Sequence, residues 1–317
     1  MGRPRHIVVV QSSYLDLAER FQEHLLRIGY HPKSSRSKYN YICEFLHYLE
    51  RQGVLDITKV TPKQINDYYA YISSRPSLKD GTTLSQKTTH SHLRNVRDLF
   101  KMLVAQGKIP SNPCSTLTFP YPKHRGERII LTQAEINQLY EVCDTAQERA
   151  ILSLAYGCGL RVGELEKCDI KDVRLRDKIL IVPDGKGRKR RVVPMSAGVA
   201  KDLGEYFYYE RDHLKMGRDF LTTTDNHYAF MLHGRGGRMR KWTYNKYLKA
   251  LIERTENETI INKQITVHSL RHSIATHLLE RGINVNKVRQ FLGHSQLETT
   301  QEYTRISPEQ LQQLLDD

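Results

Sequence analysis

Between Tyr14 and Ile28 the apolar side chains Tyr14, Leu17, Ala18, Phe21, Leu25 and Ile28 recur at spacings of three and four, and Gly29 follows. That period predicts an amphipathic helix closed by a glycine. A second helix is predicted from about Ser35 to Gln52, with Tyr41, Ile42, Phe45 and Leu49 inward and Gly53 after it. Thr61-Pro62 reads as an N-cap with proline at the first helical position, opening a third helix to about Ser73. Lys79-Asp80-Gly81 reads as a loop, and a fourth helix runs from Ser85 to about Ala105, ended by Gly107. Four such helices make a small bundle.

The pattern then changes. Ser111-Asn112-Pro113 and the run from Phe119 through Pro120, Pro122 and His124 to Gly126 are proline-rich and basic, the composition of a linker. Thr132 with Glu135 three positions on is a capping box that starts a second domain. There, helices are expected over about 132–143 and 146–157. Two β-branched runs, 178–182 and 190–193, joined through Asp184-Gly185-Lys186-Gly187, predict a β-hairpin, and helices return from about 196 onward. The expected organisation is mainly α with two domains: a helical bundle over 1–118, a linker over 119–128, and a mixed α+β domain over 129–317 carrying a small antiparallel sheet. A length of 317 residues fits two domains better than one.

Charge adds a partner. Residues 1–128 hold 20 Lys and Arg against 10 Asp and Glu, a net of +10 within a chain total of +14. A basic module of this kind points first to nucleic acid. Its last helix carries Lys87, His90, Arg94, Arg97 and Lys101, on a face that either is solvated or tracks phosphates. No apolar run approaches the roughly 18–20 residues needed to cross a bilayer, and Ile7–Val10 is too short for the apolar region of a signal peptide. A cytoplasmic protein is expected. The five cysteines, Cys43, Cys114, Cys143, Cys158 and Cys168, are odd in number and lack C-x-x-C spacing, so neither a disulfide framework nor a zinc ribbon is expected.

Candidate chemistry falls in the second domain. A helix ends at Gly157-Cys158-Gly159 and another opens with Arg161 and Glu164 near its start; by itself such a pair is either an ion pair or a phosphate site. His268-Ser269-Leu270-Arg271-His272 mimics the spacing of a zinc-binding H-E-x-x-H helix, but Ser269 replaces the glutamate and no third ligand follows at a fitting distance. No metal is expected there; His268 and Arg271 share one face of a first helical turn and could together bind an anion. His294 follows in Leu292-Gly293-His294 just past a helix end, and Tyr303 lies nine residues on.

In order, Gly159-Leu160-Arg161-Val162-Gly163-Glu164-Leu165, Lys186 within a hairpin, His268 to His272, Leu292-Gly293-His294 and Tyr303 closely resemble the motifs of the tyrosine recombinase (lambda integrase-like, Xer-like) family. The resemblance spans the second domain, and the basic bundle resembles the family's core-binding domain. It implies a site-specific DNA recombinase acting on double-stranded DNA. Tyr303 would be the nucleophile that forms a 3′-phosphotyrosyl bond, Arg161 and Arg271 would hold the non-bridging oxygens with His294, and His268 would handle or orient the tyrosine proton. Glu164 would orient Arg161, and Lys186 would protonate the leaving 5′-oxygen. No cofactor and no metal is implied. Beside Lys186, the run Arg188-Lys189-Arg190-Arg191 is expected to touch the DNA backbone, as are Lys87, Arg94 and Arg97. A tail helix over 307–317, with Leu311, Leu314 and Leu315 on one side, is too short to stand alone and is expected to dock on a neighbouring copy in a synaptic tetramer. A type IB topoisomerase-like transferase and a non-catalytic DNA-binding relative are the alternatives; Tyr303 speaks against the second. Chromosome-dimer resolution and mobile-element integration both stay open, the short chain leaning toward a Xer-like or simple transposon enzyme, with nucleoid association expected.

Overall fold

The computed structural model describes residues 7–77, 81–119, 128–183 and 190–293, and the chain divides into two compact units, 1–126 and 127–317. In the first, the apolar periodicity becomes α1 (Ser12–Arg27), α2 (Pro32–Arg51), α3 (Pro62–Ser74) and α4 (Gln86–Ala105). α2 begins three residues before the expected Ser35, because proline suits the first helical turn and His31 caps it, its ring nitrogen accepting from Lys33 N–H at 3.2 Å. Thr61 caps α3 reciprocally with Gln64, whose side chain accepts the Thr61 N–H at 2.7 Å. α2 packs on both α1 and α4. Phe21, Ile42, Phe45, Leu49, Tyr68 and Phe100 are fully buried between them. One buried polar pair sits in this core: the Tyr68 hydroxyl lies 2.9 Å from the His92 ring, and burial pushes that histidine down to about 3, so it is neutral.

The second unit opens at the expected capping box: Glu135 N–H donates to the Thr132 hydroxyl at 3.2 Å, and Thr132 N–H to the Glu135 carboxylate at 2.8 Å. α5 (Gln133–Glu141) and α6 (Ala146–Leu152) follow. The helix expected over 146–157 is not uniform: from Ser153 to Gly157 it widens into a π-helical turn, with Cys158 N–H donating five residues back to Ser153 C=O at 2.8 Å. Gly157 lies in this turn against α8 (Ala197–Glu205), where a Cβ would fall 2.4 Å from Val199 Cγ2. α7 (Val162–Lys167) comes next.

The hairpin is present as β2 (Ile179–Val182) and β3 (Arg191–Pro194), antiparallel with Val182 opposite Arg191 and Leu180 opposite Val193. A third strand that the sequence reading lacks, β1 (Val173–Arg174), pairs with β2; two residues are too few for alternation to register. After α8 come a second π-helical turn (Tyr206–Glu210), α9 (Arg211–Leu214), α10 (Thr224–Tyr228), α11 (Lys241–Arg254), α12 (Glu258–Ile261), α13 (Val267–Glu280) and α14 (Val285–Leu292). Between α10 and α11 the expected helix gives way to a loop tied down by buried arginines: Arg211 donates to Ala229 C=O at 2.7 Å and Arg238 to Asp169 at 2.7 Å. Leu154, Leu160, Leu180, Val193, Leu251, Leu270 and Leu292 meet in one core that sets α13 and α14 against the sheet and the π-helical turn.

Candidate active site

The site grows from the turn between the π-helical segment and α7. Gly159 adopts a left-handed φ of +58°, and a Cβ there would lie 2.8 Å from Leu292 Cδ2 and 3.2 Å from Phe291. Only glycine lets the chain turn this close to the end of α14. Two residues on, Arg161 is the N-cap of α7. Glu164, in its first turn, accepts the Arg161 N–H at 2.9 Å and the Arg161 guanidinium at 2.7 Å. The spacing of three in the G-L-R-x-x-E box is thus the spacing of a helix cap, and it aims the arginine.

α13 supplies the next pair. Its first turn carries His268, only partly open to solvent around its ring, and Arg271, which is buried. Arg271 donates to Gly159 C=O and to Leu292 C=O. Burial, with repulsion from Arg161, lowers this guanidinium to about 9, so it keeps its charge at neutral pH. Partial burial and then the charges of Arg271 and Arg161 lower the His268 ring, leaving it neutral at pH 7 and able to accept a proton.

A third arginine completes the cluster. Arg191, on β3, grips both oxygens of Glu164 at 2.8 and 3.0 Å and donates through Nε to Phe291 C=O at 3.0 Å. Arg161 reaches Gly293 C=O at 3.3 Å. Three successive carbonyls at the carboxyl end of α14, those of Phe291, Leu292 and Gly293, therefore each accept from a different arginine. These are among the groups that a helix end leaves unpaired, and the negative end of the helix dipole favours the cations. Gly293, left-handed at φ +64°, closes α14 against Arg191, whose Cδ would sit 2.7 Å from a Cβ. Burial alone would raise the Glu164 carboxyl, but the bonds and charge of Arg191, then of Arg161, hold it down at about 2. Three guanidiniums around one carboxylate leave an excess of two positive charges, suited to a phosphodiester.

The structure therefore brings together Arg161, Glu164, His268 and Arg271. Lys186, Arg188, Lys189, His294, Tyr303 and the tail 307–317 lie outside the described residues. Two residues expected at the DNA backbone are also engaged within the protein. Arg191 does not face outward with the basic run: strand alternation puts it inward in phase with buried Val193, while Val192 is exposed, and its side chain is 7% exposed on Glu164. Reading the period of two through Arg190-Arg191-Val192-Val193 would have found it. Arg190, one residue earlier, is exposed. In the first unit, Arg97 is not on a free face either; it is partly buried and donates to Leu117 C=O at 2.9 Å, fastening the chain after α4, whereas Lys87 and Arg94 are exposed. Among the described residues no group of three His, Cys, Asp or Glu could hold a metal, and no helix is long and apolar enough to cross a membrane. All five cysteines are free thiols.

An arginine-built anion site on a mainly helical unit with a small antiparallel sheet suits phosphoryl transfer of the integrase class. The chain belongs to the phage integrase family, the tyrosine recombinases: the family's sequence model matches residues 130–310, and that of the phage integrase SAM-like domain matches 13–119. It is 30% identical over 312 residues to tyrosine recombinase XerC of Myxococcus xanthus, covering 96% of this chain and 98% of that protein. It is 32% identical over 234 residues to XerC of Bacillus subtilis, covering 72% and 73%. In fold it is similar to the integrase of transposon Tn1549 in complex with circular intermediate DNA (TM-score 0.66, 20% identity, 89% and 92% covered). It is also similar to a lambda integrase dimer bound to a COC′ core site (TM-score 0.62, 18% identity, 92% and 99% covered).

Proposed function

We propose that this protein is a site-specific DNA recombinase that exchanges strands between two sites in double-stranded DNA through a covalent tyrosine intermediate. The observation that carries the reading is the convergence of Arg161 and Arg271 on one anion site, ordered by Glu164 and flanked by His268. In this reading the Tyr303 oxygen attacks phosphorus and the bond from phosphorus to the 5′-oxygen breaks. His268 takes or orients the phenol proton, and Lys186 gives one to the departing oxygen. Charge gathering on the non-bridging oxygens is met by Arg161 and Arg271, with His294 as a further donor. The phosphotyrosyl bond conserves the free energy of the broken linkage, so a 5′-hydroxyl of the partner strand reverses the attack with no nucleotide and no cofactor. The arginines take the place that a divalent metal holds in other phosphoryl transfers.

In the same reading residues 1–118 form the DNA-gripping domain, with Lys87 and Arg94 toward the backbone, and 129–317 the catalytic one, with Arg188, Lys189 and Arg190 beside Lys186. The active assembly is a tetramer on two sites with the tail 307–317 docked in trans, in the cytoplasm on the nucleoid. Similarity to the tyrosine recombinases XerC favours strand exchange between paired sites over relaxation by a type IB topoisomerase. The test is a nicked suicide substrate resolved on a denaturing gel. Wild type should trap a protein–DNA adduct, in EDTA as well, while Tyr303→Phe binds the same DNA and traps none. An adduct formed by the variant, or one formed by wild type only with Mg²⁺ or Zn²⁺, overturns the mechanism.

A further inference from the structure

We infer that Arg191 is a positioning residue of the strand-transfer site: by filling the acceptor positions of Glu164 that Arg161 leaves open, it keeps Arg271 and the remaining donors of Arg161 turned on the reacting phosphate. The inference rests on the recombinase reading but concerns a residue outside the motifs that define it.

The geometry is a matter of acceptor sites. An ionised carboxylate offers about four lone-pair positions. Glu164 Oε1 accepts from Arg161 Nη1 at 2.7 Å and from Arg191 Nη1 at 3.0 Å. Oε2 accepts from the Arg161 backbone N–H at 2.9 Å and from Arg191 Nη2 at 2.8 Å. Arg271 Nη1 stands 3.8 Å from Oε2, attracted but outside hydrogen-bond range. Arg191 fills two of the four positions, and its third donor, on Phe291 C=O, fixes the plane of the fork. Its side chain is 7% exposed, with its donors spent on Glu164 and Phe291.

Without Arg191, Glu164 would have two vacant positions and an unshared charge, with Arg271 next in line and Arg161 able to swing into a two-pronged pair. Both cations would then be partly neutralised by the protein's own carboxylate. A lysine cannot replace the fork, since one ammonium does not span both carboxylate oxygens and Phe291 C=O in a plane.

The test compares full-length wild type, Arg191→Met, Arg191→Lys and the double variant Arg191→Met/Glu164→Gln, at a temperature where each is folded. Two quantities are read: the single-turnover rate of adduct formation on the suicide substrate, and the affinity for tungstate, a phosphate-sized anion, followed by thermal shift. Arg191→Met should slow adduct formation about 10- to 100-fold, as loss of groups that orient a primary ligand does. It should also weaken tungstate binding while leaving the affinity for intact DNA unchanged. Arg191→Lys should fall between. The double variant should regain about tenfold over Arg191→Met, because glutamine cannot neutralise the remaining arginines. A double variant as slow as Arg191→Met, or Arg191→Met reacting like wild type, shows that Arg191 only staples the fold and overturns the inference. Should Arg191→Met not fold, Arg191→Lys with and without Glu164→Gln supplies the same comparison. Absence of any wild-type adduct defeats the recombinase reading and leaves the tungstate series to decide Arg191; an adduct with no recovery in the double variant defeats Arg191 alone.

Discussion

Replacing Glu164 by glutamine takes one negative charge out of a pocket that holds three guanidiniums. Its side chain is 7% exposed, and its carboxyl is held at about 2 against an ordinary 4.5. A carboxyl depressed by that much contributes about 3 kcal/mol to stability at pH 7. Because the folded value is the lower one, the contribution is fully present above pH 4.5 and is lost as the pH falls toward 2. By the same linkage only about half of it remains at pH 3. Glu164→Gln should therefore cost about 3 kcal/mol at neutral pH, in the range for breaking a buried ion pair from one side. The gap from wild type should close by about half at pH 3. Urea unfolding read by amide hydrogen exchange in α7 and α13 reports on the catalytic unit. A cost below about 1 kcal/mol at pH 7, or a cost that does not change down to pH 3, would refute the reasoning, since either outcome means the carboxylate is not held by the arginines.

Gly159→Ala should destabilise the catalytic unit by about 1–3 kcal/mol, from a left-handed φ and a Cβ pressed on Leu292, and should slow adduct formation; unchanged urea unfolding would contradict the close approach. Lys186→Ala should react slowly on ordinary DNA yet recover on DNA whose scissile 5′-bridging oxygen is sulfur, because a thiolate leaves without a proton, while Arg161→Ala should not recover. Equal rescue of both, measured as adduct rate, would make Lys186 a backbone contact. Deleting residues 307–317 should spare single-site binding in a gel-shift assay and remove cooperative assembly on paired sites; an unfolded monomer would place the tail in cis.

The bundle was legible because its helices carry a period and three of the four a glycine stop: Gly29, Gly53 and Gly107 stand just beyond helix ends with φ of +89°, +70° and +66°. The G-L-R-x-x-E and H-x-L-R-H boxes were legible as motifs, and the reciprocal cap explains why the first has its spacing. Less visible was anything that depends on one residue more or less. The π-helical turn at Ser153–Gly157 shifts the helix by a residue while keeping its apolar composition, so periodicity ran straight through it. Arg191 was hidden for a different reason. A run of four basic residues suggests one charged face, but the first two lie outside the described residues, Arg190 precedes β3, and Arg191 opens it, with Val192 out and Val193 in. Charge read as a block and geometry with a period of two disagree at position 191, and geometry wins because Glu164 is there to receive it.

The grip of three arginines on the end of α14 has a consequence for how the site tolerates change. The acceptors at Phe291, Leu292 and Gly293 are peptide oxygens, which every amino acid supplies. The side chains of Phe291 and Leu292 are buried in the core and take no part in holding the guanidiniums. Repacking of that core by substitution at 291 or 292 is thus chemically separate from the cation cluster so long as the backbone keeps its path, and Gly293 is the point at which the two requirements meet. A designer altering thermal robustness can exchange the first two only for side chains that keep the packing on Gly159, and the third not at all.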